Sequence, residues 1–153
     1  MLQPGDKLPD VTLKDKNGVD FFLADHAGTP LVVYFYPKAD TPGCTNEAKD
    51  FTELAPDFAA IGVPVIAVSK DKPAKLAKFA DKYALTVKLA SDEPGTACEA
   101  FGTWVEKSLY GRNYMGIARA TFLIGADGTI ARVWPKVKVK RHAAEVLEAA
   151  RAL

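Results

Sequence analysis

Cys44 stands in a sequence setting that supports thiol chemistry. Residues 31–36 predict a strand covered on both faces, and a helical pattern begins at about Cys44, after a loop over 38–43. Ligands of open α/β sheets bind at the carboxyl ends of strands, and a helix N-terminus favours an anion such as a thiolate. Thr41 lies three residues before the cysteine, so its hydroxyl is placed to reach the sulfur or the group that the sulfur attacks. A buried structural cysteine is the alternative, but the neighbours are Pro, Gly, Thr and Asn rather than an apolar stripe.

The elements around this segment alternate between strand and helix. Pro56 interrupts the helical pattern that runs from Cys44 to Ile61, and a proline inside a helix kinks or breaks it. An Asn17-Gly18 turn signal predicts that the first two strands form a hairpin. Residues 107–116 are polar and contain glycine, and we interpret them as a loop. The pattern predicts strands at 11–13, 20–23, 31–36, 63–68, 87–89, 120–124 and 130–134, and helices at 44–61, 74–83, 96–101 and 143–153.

This order of elements is typical of an α/β fold. The helical connection between the strands at 31–36 and 63–68 predicts a parallel pair, and the late hairpin adds antiparallel strands. A mixed central sheet flanked by helices, with an N-terminal β-hairpin, resembles the thioredoxin-like fold. Because the chain has 153 residues and shows no repeat or linker, we expect one domain over residues 1–153.

The composition argues against several classes of function. Lys and Arg number 20 and Asp and Glu number 19, so the chain has no electrostatic footprint for nucleic acid and no polybasic membrane anchor. The longest apolar stretches are far too short to cross a membrane, and the N-terminus lacks the apolar run of a signal peptide. Two cysteines, Cys44 and Cys98, do not make a disulfide scaffold. We therefore expect a cytoplasmic protein with no nucleic-acid or membrane partner.

Three residues carry a resemblance to a known family. Pro37, Thr41 and Cys44 match the Pro-x-x-x-Thr-x-x-Cys signature of the peroxiredoxins, and the surrounding YFYPKADTPGCTNEA is similar to the bacterioferritin comigratory protein (PrxQ) branch. The resemblance runs over nearly the whole chain and includes LASDEPGTACEAFGTW and ARATFLIGADGTIARVW. It implies a thiol-dependent peroxidase with a thioredoxin-like fold that reduces hydrogen peroxide and organic hydroperoxides.

The resemblance also implies a role for each matching residue. Cys44 corresponds to the peroxidatic cysteine, whose thiolate attacks the hydroperoxide and becomes a sulfenic acid. Thr41 is expected to hydrogen-bond the peroxide, and Pro37 to pack over the sulfur. Arg119 matches the arginine that stabilises the thiolate and the leaving oxygen, and Glu47 matches an acidic position that orients it. The resemblance implies no metal and no organic cofactor, because the sulfur supplies both electrons.

Each of these residues also has an ordinary structural interpretation. Thr41 could cap the helix, and Pro37 could simply end the strand. Arg119 could be an exposed charge on an edge strand. An acidic residue at the start of a helix, such as Glu47, is already favourable through the helix dipole.

The recycling step departs from the family pattern. Many relatives carry a resolving cysteine five residues after the peroxidatic one, where this chain has Lys49, and others carry it in the next helix, which has none here. Cys98 is the only candidate, and its spacing from Phe101 favours a buried structural thiol. We therefore expect a one-cysteine mechanism in which thioredoxin, glutaredoxin or a small thiol reduces the sulfenic acid. A Cys44–Cys98 disulfide is the alternative, and it would require backbone movement.

Two other functions are alternatives to a peroxidase. A thioredoxin-like disulfide oxidoreductase normally has two cysteines separated by two residues, whereas Thr41 and Glu47 occupy both partner positions. A holdase or binding module on the same fold is a third hypothesis.

His26 and His142 lack zinc-ligand spacing with the cysteines, so we interpret both as surface residues. We expect a monomer, because the extended C-terminal arm of the dimeric branches is absent.

Overall fold

A seven-stranded sheet forms the centre of the protein. The structure is a computed structural model that describes residues 1–153. In chain order the strands are β1 (Thr12–Asp15), β2 (Asp20–Phe22), β3 (Leu31–Phe35), β4 (Val65–Ser69), β5 (Lys88–Ser91), β6 (Trp104–Leu109), β7 (Arg112–Ile117), β8 (Ala120–Ile124) and β9 (Ile130–Trp134). The central sheet has the order β2-β1-β5-β4-β3-β8-β9, and β6 pairs with β7 in a separate two-stranded sheet. Since β3 runs parallel to β4 and antiparallel to β8, the predicted mixed sheet with an N-terminal hairpin is confirmed.

Five α-helices connect or follow these strands. They are α1 (Pro42–Glu53), α2 (Ala55–Ala60), α3 (Pro73–Tyr83), α4 (Thr96–Phe101) and α5 (His142–Arg151). The helical pattern over 44–61 is broken at Leu54, and Pro56 lies in the first turn of α2, where a proline is tolerated. None of the helices combines the length and the apolar character that a membrane crossing requires.

Alternate side chains of the central strands build two hydrophobic clusters, one on each face of the sheet. On β3, Val32 and Tyr34 belong to the cluster that includes residues of α1, α2, α3 and α5, and we call this side the α1 face. Val33 and Phe35 belong to the cluster that includes residues of α4, and we call that side the α4 face. All five residues of β3 are buried, because both faces of this central strand are covered.

The loop predicted over residues 107–116 is in fact a β-hairpin. Lys107 of β6 lies opposite Tyr114 of β7, and the two strands are joined by Tyr110 and Gly111. Both turn residues have positive φ, 50° and 75°, as a two-residue hairpin turn of this hand requires. The prediction was wrong because most side chains of this hairpin are polar or exposed, so the segment lacks the alternation that marks a half-buried strand.

His142 is buried, and its predicted surface position was wrong. The ring is packed edge-on against Phe51 and Trp134 on the α1 face, and its Nε2 lies 2.7 Å from the Thr121 hydroxyl. Burial lowers the pKa of His142 to about 4, so the ring is neutral at physiological pH. His26 keeps a partly exposed position.

Candidate active site

Cys44 is the third residue of α1, at the end of the sheet where β3 finishes. Pro42 opens the helix, since its fixed φ suits the first helical position and its missing N–H leaves no donor unpaired. Thr41 is the residue before the helix, with the extended backbone that this position requires, but its side chain does not cap the helix. Its hydroxyl donates instead to the carbonyl oxygen of Lys38, at 2.8 Å. The hydroxyl oxygen of Thr41 therefore keeps its capacity to accept a hydrogen bond.

The loop before α1 is tied to the neighbouring elements by two aspartates. Asp40, at φ 63°, accepts hydrogen bonds from Lys82 and Tyr83 at the end of α3. Asp71 accepts from the backbone N–H of Ala39 at 2.8 Å. Neither aspartate could be identified from the sequence, because their partners lie more than 30 positions away and no local pattern marks such contacts.

Arg119 joins the cysteine to an acidic residue of the same helix. It lies in the short link between β7 and β8, and its Nη2 donates to the Cys44 sulfur at 3.3 Å. Its Nη1 donates to Glu47 Oε1 at 2.8 Å. Cys44 and Glu47 are three residues apart on α1, so the helix presents both to a single guanidinium. The structure thus brings together three of the five residues that the resemblance singled out.

Burial and charge attraction act in opposite directions on Glu47 and Arg119. The Glu47 side chain is 1% exposed, and its burial raises the pKa of the carboxyl to about 7 against the attraction of Arg119. One of its oxygens, Oε2, has no hydrogen-bond partner. Burial opposes the charge of Arg119 too, but the Glu47 carboxylate and the Cys44 sulfur more than offset it and raise the pKa of the guanidinium. Arg119 is therefore a permanent positive charge in contact with the sulfur.

The space around the sulfur is tight. Cys44 is 1% exposed, whereas Thr41 is half-buried and Pro37 is exposed at the end of β3. A side chain at Gly43 would place its first carbon 3.1 Å from Nη2 of Arg119, which is closer than ordinary contact. Glycine at this position leaves the guanidinium room to approach Cys44. No pattern in the sequence marks this role of Gly43.

Cys98 lies elsewhere in the molecule. It is fully buried in the cluster on the α4 face, whereas Cys44 belongs to the cluster on the α1 face. Burial and the nearby carboxylate of Asp92 raise the pKa of the Cys98 thiol well above its ordinary value. The thiol is thus held in its neutral form. No group of three or more His, Cys, Asp or Glu side chains is arranged to hold a metal ion.

Comparison with known proteins places the chain among peroxide-reducing enzymes. Residues 4–133 match the model of the AhpC/TSA family. The chain is 45% identical over 141 residues to Peroxiredoxin Bcp of Escherichia coli strain K12, covering 92% of this chain and 90% of that protein. It is 44% identical over 147 residues to Peroxiredoxin Bcp of Bacillus subtilis strain 168, with 96% and 94% covered.

Solved structures agree with these relatives. The bacterioferritin comigratory protein of Xanthomonas campestris, studied for its alkyl peroxide reduction activity, superposes with a TM-score of 0.89 at 38% identity. The match covers 96% of this chain and 98% of that one. Because the family model and the relatives both span most of the chain, the thioredoxin-like fold is confirmed, and the chain belongs to the AhpC/TSA family as a peroxiredoxin of the Bcp (PrxQ) type, a thiol peroxidase.

Proposed function

We propose that Cys44 is the residue that reacts with the peroxide. Its thiolate attacks the terminal oxygen of a hydroperoxide, an S–O bond forms as the O–O bond breaks, and the sulfur is oxidised by two electrons to a sulfenic acid. The peroxide is reduced to water or an alcohol once the leaving oxygen takes a proton. The observation that carries this proposal is the 3.3 Å contact between Cys44 and Arg119, because a permanent cation beside a sulfur stabilises the thiolate.

Arg119 stabilises negative charge at two stages of this reaction. Its positive charge stabilises the thiolate before attack and the negative charge on the leaving oxygen during attack. Glu47 is a positioning residue, since its hydrogen bond to Nη1 holds the guanidinium so that Nη2 is directed at the sulfur.

Thr41 hydrogen-bonds the peroxide. Its hydroxyl proton is already donated to the carbonyl of Lys38, so its oxygen is available to accept the O–H of a hydroperoxide. Thr41→Ser keeps this acceptor and Thr41→Val removes it, so only the valine variant should lose most of the oxidation rate.

Pro37 is exposed at the end of β3, and its proposed role is to limit the access of water to the bound peroxide.

An external thiol recycles the enzyme. A thiol attacks the sulfenic acid, releases water and forms a mixed disulfide with Cys44, and a second thiol restores the thiolate. The separation of Cys44 and Cys98 on opposite faces of the sheet favours this route over an internal disulfide. Thioredoxin, glutaredoxin with glutathione, or another small thiol is the reductant that we propose. The alkyl peroxide reduction described for the Xanthomonas campestris relative supports organic hydroperoxides as substrates beside hydrogen peroxide.

The decisive experiment compares Cys44→Ser with Cys98→Ala. Each reduced protein is treated with one equivalent of hydrogen peroxide, and its peptides are analysed by mass spectrometry. We expect one added oxygen on Cys44 in the Cys98→Ala protein and no peroxide consumption by Cys44→Ser. Sustained turnover by Cys44→Ser would refute the role of Cys44. Reduction of insulin disulfides without peroxide consumption would favour a disulfide oxidoreductase instead.

A further inference from the structure

One peptide unit of the loop before α1 is held by hydrogen bonds on both of its sides. It joins Lys38 to Ala39. Its N–H donates to Asp71 Oδ2 at 2.8 Å, and its carbonyl oxygen accepts from the Thr41 hydroxyl at 2.8 Å. The N–H and the C=O of a trans peptide point in opposite directions within one plane. A single rigid unit therefore connects the carboxylate of Asp71 to the hydroxyl of Thr41.

The carboxylate of Asp71 is fixed by the sheet. Asp71 follows β4 by two residues, at the end of the sheet where the parallel strand β3 finishes. The hydroxyl of Ser69, which is fully buried, donates to the same Oδ2 at 2.8 Å, and Lys75 Nζ lies 3.3 Å from Oδ1. The hydroxyl of Ser91 in β5 donates to the main-chain oxygen of Asp71 at 2.6 Å. Two neighbouring strands thus set the position of the acceptor to which the loop is tied.

The orientation of the Thr41 hydroxyl follows from this arrangement. A hydroxyl rotates so that its proton meets the best-placed acceptor. Because a carboxylate polarises the peptide that donates to it, the carbonyl of Lys38 becomes a stronger acceptor for the Thr41 proton. With the proton directed to that carbonyl, the lone pairs of the hydroxyl oxygen are left to accept the O–H of a hydroperoxide.

We propose that Asp71 is a positioning residue of the peroxidase reaction, acting through the Lys38–Ala39 peptide to fix the Thr41 hydroxyl as a hydrogen-bond acceptor for the substrate. The carboxylate makes no hydrogen bond to the Cys44 sulfur, so its effect on the reaction passes through the loop. This inference rests on the proposed roles of Cys44 and Thr41 and adds a residue to them.

The test compares two reagents that react with the same thiolate. Hydrogen peroxide has an O–H to donate, whereas methyl methanethiosulfonate has no N–H or O–H, and it transfers a methylthio group to the sulfur and releases methanesulfinate. Reduced protein is mixed with each reagent in the absence of other thiols, and mass spectrometry of the Cys44 peptide gives two second-order rate constants. The readout is the ratio of the peroxide constant to the thiosulfonate constant. Changes in the ionisation or exposure of the thiol act on both constants and cancel in this ratio.

Substitutions of Asp71 separate the acceptor from the rest of the side chain. Asp71→Ala should lower the ratio roughly tenfold, since a small misplacement of a positioning group slows a reaction strongly. Asp71→Asn should retain the ratio, because its amide oxygen can accept from the Ala39 N–H. Asp81→Ala is the control, because Asp81 is exposed on α3. If urea denaturation shows that the alanine variant is not folded, Asp71→Ser replaces it, since serine leaves a polar group beside Ser69 and the side chain of Asp71 is 10% exposed to water.

A second comparison uses the background of Thr41→Val, which has no hydroxyl to orient. There we expect Asp71→Ala to change the ratio by less than about twofold, since residues that act through one chain of hydrogen bonds have non-additive effects. An equal loss in both backgrounds would overturn the inference and make Asp71 a general anchor of the loop. An unchanged ratio in folded Asp71→Ala would overturn it too, as would a loss in Asp71→Asn equal to that in Asp71→Ala. Failure of the proposed function gives a different result, because then Thr41→Val alone would keep the wild-type ratio or peroxide would not oxidise Cys44.

Discussion

Cys44 and Cys98 belong to hydrophobic clusters on opposite faces of the central sheet. A disulfide requires Cα atoms within about 7 Å of each other, so a bond between these cysteines would require the sheet or its flanking helices to rearrange. The arrangement separates a sulfur in contact with a guanidinium, which we propose reacts with the peroxide, from a neutral thiol buried on the other face.

Cys98→Ala should retain full peroxide turnover with an external thiol. The substitution removes one buried sulfur from the α4 face, and we expect it to lower the free energy of unfolding by about 1 kcal/mol through the small cavity it leaves. Steady-state turnover and urea denaturation measure the two effects. A variant that stops after a single turnover, or a linked pair of cysteine peptides in oxidised wild-type protein, would contradict this prediction.

Gly43→Ala should slow the oxidation of Cys44 without destabilising the fold. The added methyl group would lie 3.1 Å from Arg119 Nη2 and push the guanidinium away from the sulfur. We expect the second-order rate constant for peroxide to fall roughly tenfold, which is less than the hundredfold or larger loss expected for Arg119→Met. Asn46→Ala, at an exposed position on the same helix, is the control and should keep the wild-type rate. An unchanged rate in Gly43→Ala would show that the Arg119 contact does not limit oxidation.

Glu47→Gln should change how stability depends on pH. The pKa of Glu47 rises from 4.5 to about 7 on folding, so the folded protein binds this proton more tightly than the unfolded chain does. The contribution of Glu47 to stability is therefore largest below pH 4.5 and is lost as the pH rises towards 7, a loss of roughly 3 kcal/mol. Because glutamine does not titrate, the variant should gain stability relative to wild type between these pH values in urea denaturation. A constant difference would show that Glu47 stays ionised in the folded protein.

His142→Gln should reduce the sensitivity of the fold to acid. The pKa of His142 falls from 6.5 to about 4 on folding, so its contribution to stability is complete above pH 6.5 and is lost as the pH falls towards 4. Glutamine can keep a hydrogen bond to Thr121 and does not titrate in this range. We expect the difference in unfolding free energy to shift towards the variant by roughly 3 kcal/mol over that interval. Denaturation curves at both ends of the interval measure this, and parallel pH profiles for the two proteins would contradict it.

The parts of the fold that depend on local patterns could be predicted from the sequence. Residues 31–36 form an apolar run typical of a strand covered on both faces, and β3 occupies the centre of the sheet. The predicted loop over 38–43 extends two residues too far, because α1 begins at Pro42, whose fixed φ suits the first helical position. Pro56 marked a break that lies at Leu54. In each case the backbone preference of the residues agrees with the tertiary structure.

Features that depend on distant partners could not be predicted in this way. Arg119 and Cys44 are 75 positions apart, and only the resemblance to peroxiredoxins suggested that they meet. His142 shares the inward face of α5 with Val146 and Ala150. Its contacts with Phe51 and Trp134 involve two other elements, so the sequence could not show them. The hairpin over β6 and β7 escaped prediction because its strands lack apolar alternation and because Tyr110 is an unusual residue for a turn position with positive φ.

The β6–β7 hairpin can change in sequence or length independently of the central sheet. β6 and β7 pair only with each other, yet β7 ends two residues before Arg119. Residues near the tip can therefore be exchanged or lengthened without disturbing a hydrogen bond of the seven-stranded sheet. This segment of the enzyme can therefore change while the contact between the Cys44 sulfur and the Arg119 guanidinium is retained.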